Sequence, residues 1–154
     1  MRISISHKNI EFKILMLDDD AQYVKNKVEV LKAYGYDVEG EVSVSAALQK
    51  LKTQPYNLLL LDYLMDEMRG DEVVKEIRKF NKELFILLLT GYAESPPLEI
   101  MERLDITSYC EKSSSNTQLL VLIKSAYRAV QMMKTIKSTR DGLNSILKSV
   151  PQIY

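Results

Sequence analysis

The 154-residue sequence has one cysteine, one histidine and no tryptophan, and each shortage narrows what the chain does. Cys110 has no mate for an intrachain disulfide, in keeping with a reducing compartment. The only imidazole, His7, falls in a stretch that reads as a tail, so histidine triads and multi-histidine metal sites lack their residues. No apolar run approaches the ~20 residues needed to cross a bilayer. The opening MRISISHKNIEFK lacks the continuous apolar core of a signal peptide, and a cytoplasmic location is expected. An excess of either charge is also missing, with 21 basic and 21 acidic residues. The segment 132–154 holds Lys134, Lys137, Arg140 and Lys148 against Asp141, a net +3 that the first 131 residues balance at −3. Neither value marks a nucleic-acid or membrane binder, for which a concentrated basic patch is expected.

What is present is a single-domain composition, 46% hydrophobic and 27% charged, arranged as apolar runs separated by amphipathic segments. FKILML (12–17), NLLLL (57–61) and LFILLL (84–89) read as buried strands, YDVEGEV (36–42) as an edge strand and TSYCE (107–111) as a short last strand. Helices are expected over 21–34, stopped by Gly35, and over a short segment capped by Ser43 or Ser45 and finished before Pro55. Further helices are expected over 71–80, 95–104 with proline in the first turn, and 116–139. After Gly142 a separate short amphipathic piece is expected. Strands that are apolar throughout and alternate with helices imply a parallel sheet covered on both faces. The length suits a flavodoxin-like (βα)5 sandwich with strand order 2-1-3-4-5.

In that topology the residues following the strong strands share one sheet edge: Asp18 and Asp19, Asp62, Thr90 and Lys112. Crowded carboxylates repel, and a divalent cation and an ammonium relieve them. Mg²⁺ (or Mn²⁺) suits such oxygens and keeps waters for a phosphoryl ligand, while Lys112 and Thr90 supply donors for a phosphoryl group on Asp62.

ILMLDDD, LLLLDYLMDEMRG, LLLTG and YCEK resemble the four motif blocks of response-regulator receiver domains, the phospho-accepting modules of two-component signalling, over about residues 12–130. The resemblance implies Asp62 as phosphoacceptor for a histidine kinase or phosphotransfer protein. It implies Mg²⁺ bound by Asp19, by Asp18 through water, by Asp62 and by the main-chain carbonyl of Leu64. Thr90 would be the switch hydroxyl, Lys112 the phosphate-binding ammonium, Tyr109 the aromatic that follows Thr90, and Gly91 the small residue leaving room for the phosphoryl group. Phosphorylation would then switch the surface of helix 4, strand 5 and helix 5, and the chain would catalyse only its own phosphorylation and dephosphorylation. Asp20 reads as the start of the first helix.

Several positions depart from the family pattern. Ser113 follows Lys112 where proline is usual, and Asp66-Glu67 stand where the segment usually begins with proline. Leu64 and Tyr92 fill the places that govern entry of the hydrolytic water, and both suit slow phosphate loss. The expected division is a tail at 1–11, a receiver at 12–131 and a helical extension at 132–154 leading toward an output domain. Leu119, Ile123, Ala126, Val130 and Met133 recur as a seam for the sheet or for a partner helix, interrupted by Lys137 and Arg140. A homodimer is compatible with either the helix 4–strand 5–helix 5 face or the helical tail. The rival readings are a degenerate receiver serving as an interaction module and a haloacid-dehalogenase-type phosphatase, whose opening D-x-D Asp18-x-Asp20 imitates.

Overall fold

The structure, a computed structural model, describes residues 11–91 and 96–150. His7 and Tyr92 lie outside the described residues. In chain order the elements are β1 (Lys13–Leu17), α1 (Ala21–Ala33), β2 (Asp37–Glu41), α2 (Val44–Thr53), β3 (Leu58–Asp62), α3 (Gly70–Arg78), β4 (Phe85–Thr90), α4 (Leu98–Arg103), β5 (Ser108–Glu111) and α5 (Asn116–Ser149). The strands form one parallel sheet in the order β2-β1-β3-β4-β5, as the alternation of apolar runs and helices predicts.

The leucine run of β3 supplies both faces of the sheet, because successive side chains on a strand point to opposite sides. Leu59 and Leu61 join a core layer with Ala47, Val73 and Ile77 from α2 and α3. Leu58 and Leu60 join the opposite layer with Leu31 of α1 and Leu119, Ile123 and Val130 of α5. All four leucines are at most 1% exposed. At roughly 1.5–3 kcal/mol for each fully buried leucine, the register of β3 is held strongly, and with it the height of the residue at its end.

Caps and turns follow local chemistry. Asp20 caps α1, its Oδ1 accepting from the Gln22 and Tyr23 N–H groups at 3.1 Å each. Gly35 takes φ +93° just past the end of α1, the left-handed region that glycine enters without a Cβ clash. Ser43, not Ser45, caps α2 through the Ala46 N–H.

The structure moves three expected boundaries. Helix α4 starts only after Pro97, which stands at its N-cap rather than in its first turn. Helix α3 ends at Arg78, so Phe80 falls beyond it and is 39% exposed. Helix α5 runs unbroken through Gly142 to Ser149; one interior glycine costs only about 1 kcal/mol against alanine and is carried by its neighbours. Leu119, Ile123, Ala126 and Val130 pack on the sheet, while Met133, 49% exposed, lines a cleft with Tyr56, Leu84 and Phe85. Among the described residues no helix is long and apolar enough to cross a membrane.

Arg78 ties the end of α3 to the turn after α4. Its guanidinium donates to the carbonyls of Leu104 (2.9 Å), Asp105 (2.7 Å), Asn81 (3.2 Å) and Leu84 (2.9 Å). Asp105 sits at φ +54°, a conformation unusual for a residue with a Cβ, and the Arg78 fork holds that turn closed. Arg78→Met keeps the aliphatic stem and strips the four bonds. Urea unfolding of the variant is expected to show a loss of about 2–4 kcal/mol.

Candidate functional site

Parallel strands of matched register bring their carboxyl ends to one edge. Asp62 is the last residue of β3, paired with Leu89, and Thr90 ends β4, paired with Glu111. Asp18 follows β1, its N–H bonded to the Glu41 carbonyl of β2 at 3.2 Å. Lys112 follows β5, its N–H bonded to the Thr90 carbonyl at 2.7 Å. Each group is therefore held by the backbone of the sheet.

Asp18 is fully buried, Asp62 is 3% exposed and Asp19 faces solvent. One carboxylate oxygen from each of the three lies within 4.8 Å of the others. Lys112 Nζ reaches Asp18 Oδ2 at 2.7 Å and Asp62 Oδ1 at 3.1 Å. The first contact is the shorter, and it sets the Lys112 ammonium against the buried oxygen of Asp18. Asp18 Oδ1 accepts from the Asp20 N–H at 2.9 Å, and Asp19 Oδ2 accepts from the Asp66 N–H at 3.1 Å. The second bond fastens the loop after β3, which also carries Leu64, to the acidic cluster. Leu64 itself is 45% exposed.

The electrostatics reflect that crowding. Burial and then the neighbouring Asp18 push the Asp62 carboxyl from 3.8 up to about 6, with Lys112 opposing them. For Lys112 burial pulls downward, yet the two aspartates outweigh it and leave its ammonium held above the usual lysine value. Three carboxylates against one ammonium leave two negative charges uncompensated in a half-buried pocket. The two uncompensated charges and an all-oxygen donor set fit a hard divalent cation such as Mg²⁺.

Two further residues shape the site without having stood out in the sequence. A Cβ on Gly70 would lie 2.8 Å from the Asp62 carbonyl oxygen and 3.0 Å from Tyr63 Cα, so α3 starts against the acidic strand end only because residue 70 is glycine. The Gly70 N–H closes this turn on the Tyr63 carbonyl at 2.7 Å. Tyr23, on the first turn of α1, sets its ring 4.9 Å from the Lys112 ammonium, a cation–π contact. Burial raises the Tyr23 hydroxyl to about 12, against the pull of Lys112. No sequence pattern links residue 23 to residue 112; only the reach of the Lys112 side chain across the sheet edge to Asp18 and Tyr23 does. The Lys112–Ser113 bond is trans, since no described peptide bond is cis, and Lys112 still reaches both carboxylates.

Two of the expected site residues make no side-chain bond to the described carboxylates. Thr90 is fully buried, its hydroxyl turned toward the Cys110 carbonyl at 3.5 Å. Tyr109 points outward at 43% exposure.

Against known proteins, the family model described as "Response regulator receiver domain" matches residues 14–124. Transcriptional regulatory protein ZraR of Escherichia coli (strain K12) is 34% identical over 89 residues, covering 58% of this chain and 20% of that protein. The transcriptional regulatory protein CpxR homolog of Haemophilus influenzae is 32% identical over 116 residues, covering 75% of this chain and 50% of that one. The chain thus spans half or less of the length of these two relatives. A crystal structure of a response regulator receiver domain protein (CheY-like) from Methanospirillum hungatei JF-1 matches in fold with a TM-score of 0.74 at 24% identity, over 80% of this chain and 99% of that one.

The raised Asp62 value carries a sign. A carboxyl that titrates higher in the folded chain than in the unfolded one costs stability once it is charged; here the cost enters between pH 3.8 and about 6 and is complete above that. With divalent cations chelated, Asp62→Asn is therefore expected to raise the melting temperature at pH 7.5 and to match the parent at pH 3.5. Millimolar Mg²⁺ is expected to raise the parent's melting temperature more than the variant's. A melting temperature lowered by Asp62→Asn at pH 7.5 would show that the three carboxylates do not strain the fold.

Proposed function

The chain belongs to the response-regulator receiver family of two-component systems, and from that membership we propose that Asp62 is its phosphoacceptor. The observation that carries this reading is the convergence of Asp18, Asp19 and Asp62 with Lys112 bridging two of them. An Asp62 oxygen attacks the phosphorus of a phosphohistidine on a kinase or phosphotransfer protein. The P–N bond breaks as the P–O bond forms, and the imidazole leaves with its electron pair and takes a proton from solvent. Lys112, anchored through the β4–β5 backbone, follows the charge from the carboxylate onto the phosphoryl oxygens. Asp18, Asp19, Asp62 and the Leu64 carbonyl would hold Mg²⁺ or Mn²⁺, which supplies charge neutralisation at those oxygens. Thr90 is the hydroxyl that then turns toward the phosphoryl group, vacating its place near Cys110 for the Tyr109 ring. That exchange alters the surface of α4, β5 and α5, which an output domain reads. The chain catalyses no reaction beyond its own phosphorylation and dephosphorylation.

The phosphatase reading needs Asp20 as a second reacting carboxylate, and Asp20 is instead engaged in capping α1. The interaction-module reading draws on one observation, the Asp66 N–H that occupies an Asp19 oxygen. One experiment separates the three. The chain is incubated with Mg²⁺ and acetyl phosphate and examined for an acid-stable, base-labile adduct. An adduct that disappears in Asp62→Asn is the expected result. Sustained phosphomonoester turnover would favour the phosphatase, and no adduct would favour the interaction module.

The lifetime of that adduct follows from Leu64. Its half-exposed aliphatic side chain stands two residues beyond Asp62 and offers nothing to orient a water molecule. The phosphorylated chain is expected to keep its label for well beyond seconds in Mg²⁺ buffer. Leu64→Asn, which adds a donor and an acceptor, is expected to shorten the half-life several-fold without abolishing labelling. Loss of the label from the parent within seconds would contradict the assignment.

A further inference from the structure

The Lys112 ammonium meets three groups among the described residues: Asp18 Oδ2 at 2.7 Å, Asp62 Oδ1 at 3.1 Å and the Tyr23 ring at 4.9 Å from its centroid. The two carboxylates belong to the set that fits a divalent cation, and Asp62 is also the proposed acceptor. Their pull on the ammonium is therefore shared once a cation or a phosphoryl group arrives. The ring is the one partner whose charge distribution the reaction leaves unchanged. Its π face carries partial negative charge, so it attracts the ammonium without being a ligand for the metal.

The ring is itself held in place. Tyr23 lies in the first turn of α1, where its N–H donates to Asp20 Oδ1 at 3.1 Å. Asp20 stands two residues after Asp18, so one short segment brings both a carboxylate and the ring to Lys112. The ring packs against the core layer that α1 shares with α5. A second ammonium, that of Lys27 one turn further along α1, lies 5.5 Å from the centroid of the same ring. Lys27 also donates to Asn116 Oδ1, at the start of α5, at 2.6 Å. The ring is thereby tied to the helix that follows Lys112 in the chain. The lysine needs such a hold, because its charge rides on a flexible four-carbon stem. Ser113, in place of the usual proline, leaves the backbone after Lys112 without a pyrrolidine to stiffen it.

We propose that Tyr23 is a positioning residue for phosphoryl transfer: its ring holds the Lys112 ammonium at the cluster while that ammonium passes from Asp18 to the incoming phosphoryl oxygens. The role rests on Asp62 as the acceptor, but the contact itself is measurable before any phosphoryl donor is added.

The test has two arms, both on the full chain. In the cation-free protein, the ε-methylene protons of Lys112, assigned by their loss in Lys112→Arg, are expected to resonate upfield of those of other lysines, shielded by the ring. That shift is expected to persist in Tyr23→Phe and to vanish in Tyr23→Leu. In the second arm, acetyl phosphate with Mg²⁺ transfers its phosphoryl group to an Asp62 oxygen and releases acetate. Tyr23→Leu is expected to label about three- to tenfold more slowly than the parent, and Tyr23→Phe within about twofold of it. Pentafluorophenylalanine at position 23 keeps the shape of phenylalanine but reverses the charge of the ring face, and is expected to label as slowly as Tyr23→Leu. A ring acting by packing alone would leave the fluorinated chain at the Tyr23→Phe rate, and that result would overturn the proposal. Circular dichroism and melting temperatures check that each variant is folded. Lys112 protons unshifted in the parent, or a Tyr23→Leu chain that labels at the parental rate, would overturn it as well. A parent that shows the shifted lysine yet takes no label would instead overturn the phosphoacceptor reading, and with it the reaction that Tyr23 serves.

Discussion

The contact on which the rest of the site depends is the ammonium of Lys112 between the carboxylates of Asp18 and Asp62, at 2.7 and 3.1 Å. Two nearly buried aspartates at the end of an apolar sheet are unfavourable by themselves, as the upward shift of Asp62 shows. The fold tolerates them because five parallel strands deliver them to the same edge as a lysine. Strand pairing fixes the heights: Asp62 opposite Leu89, Thr90 opposite Glu111, and the Lys112 N–H on the Thr90 carbonyl. The leucines of β3, split between two core layers, keep that register from slipping. The balance is incomplete by two charges, which leaves the site suited to a divalent cation and a phosphoryl group.

Much of this was legible in the sequence because the signals were local. Apolar strands ending in acid, Asp20 as a cap and Gly35 past the end of α1 each depend on a few adjacent residues and on elementary backbone chemistry. The parallel order followed from alternation of strand and helix. Contacts between distant segments were not legible. Tyr23 beneath Lys112, the Arg78 fork on Leu104 and Asp105, and the absence of room for a Cβ at Gly70 all require the folded chain to bring remote parts together. The end of α5 was misread for a different reason. Gly142 signals a stop in isolation, but its penalty is small against the hydrogen bonds of a helix already nucleated and anchored on the sheet.

The departures from the family pattern acquire physical content in this arrangement. Ser113 in place of proline leaves a trans bond after Lys112, and the lysine is nevertheless positioned from two sides: by the β4–β5 backbone behind it and by the Tyr23 ring. Asp66 adds a carboxylate near the cluster, while its main-chain N–H bonds to Asp19 and ties the two loops together. The same helix, α5, contributes one face to the core and an opposed apolar stripe to solvent.

The central claim is that Asp62, with Lys112 beside it, is the atom-level acceptor of the phosphoryl group. A crystal structure of the chain grown with Mg²⁺ and beryllofluoride, which mimics a phosphoryl group on a carboxylate, tests it most directly. The account predicts beryllium on an Asp62 oxygen, the cation among Asp18, Asp19 and Asp62, and Lys112 Nζ moved from Asp18 onto a fluoride. Beryllofluoride bound elsewhere, or Asp62 left bare while the cation fills its site, would contradict it.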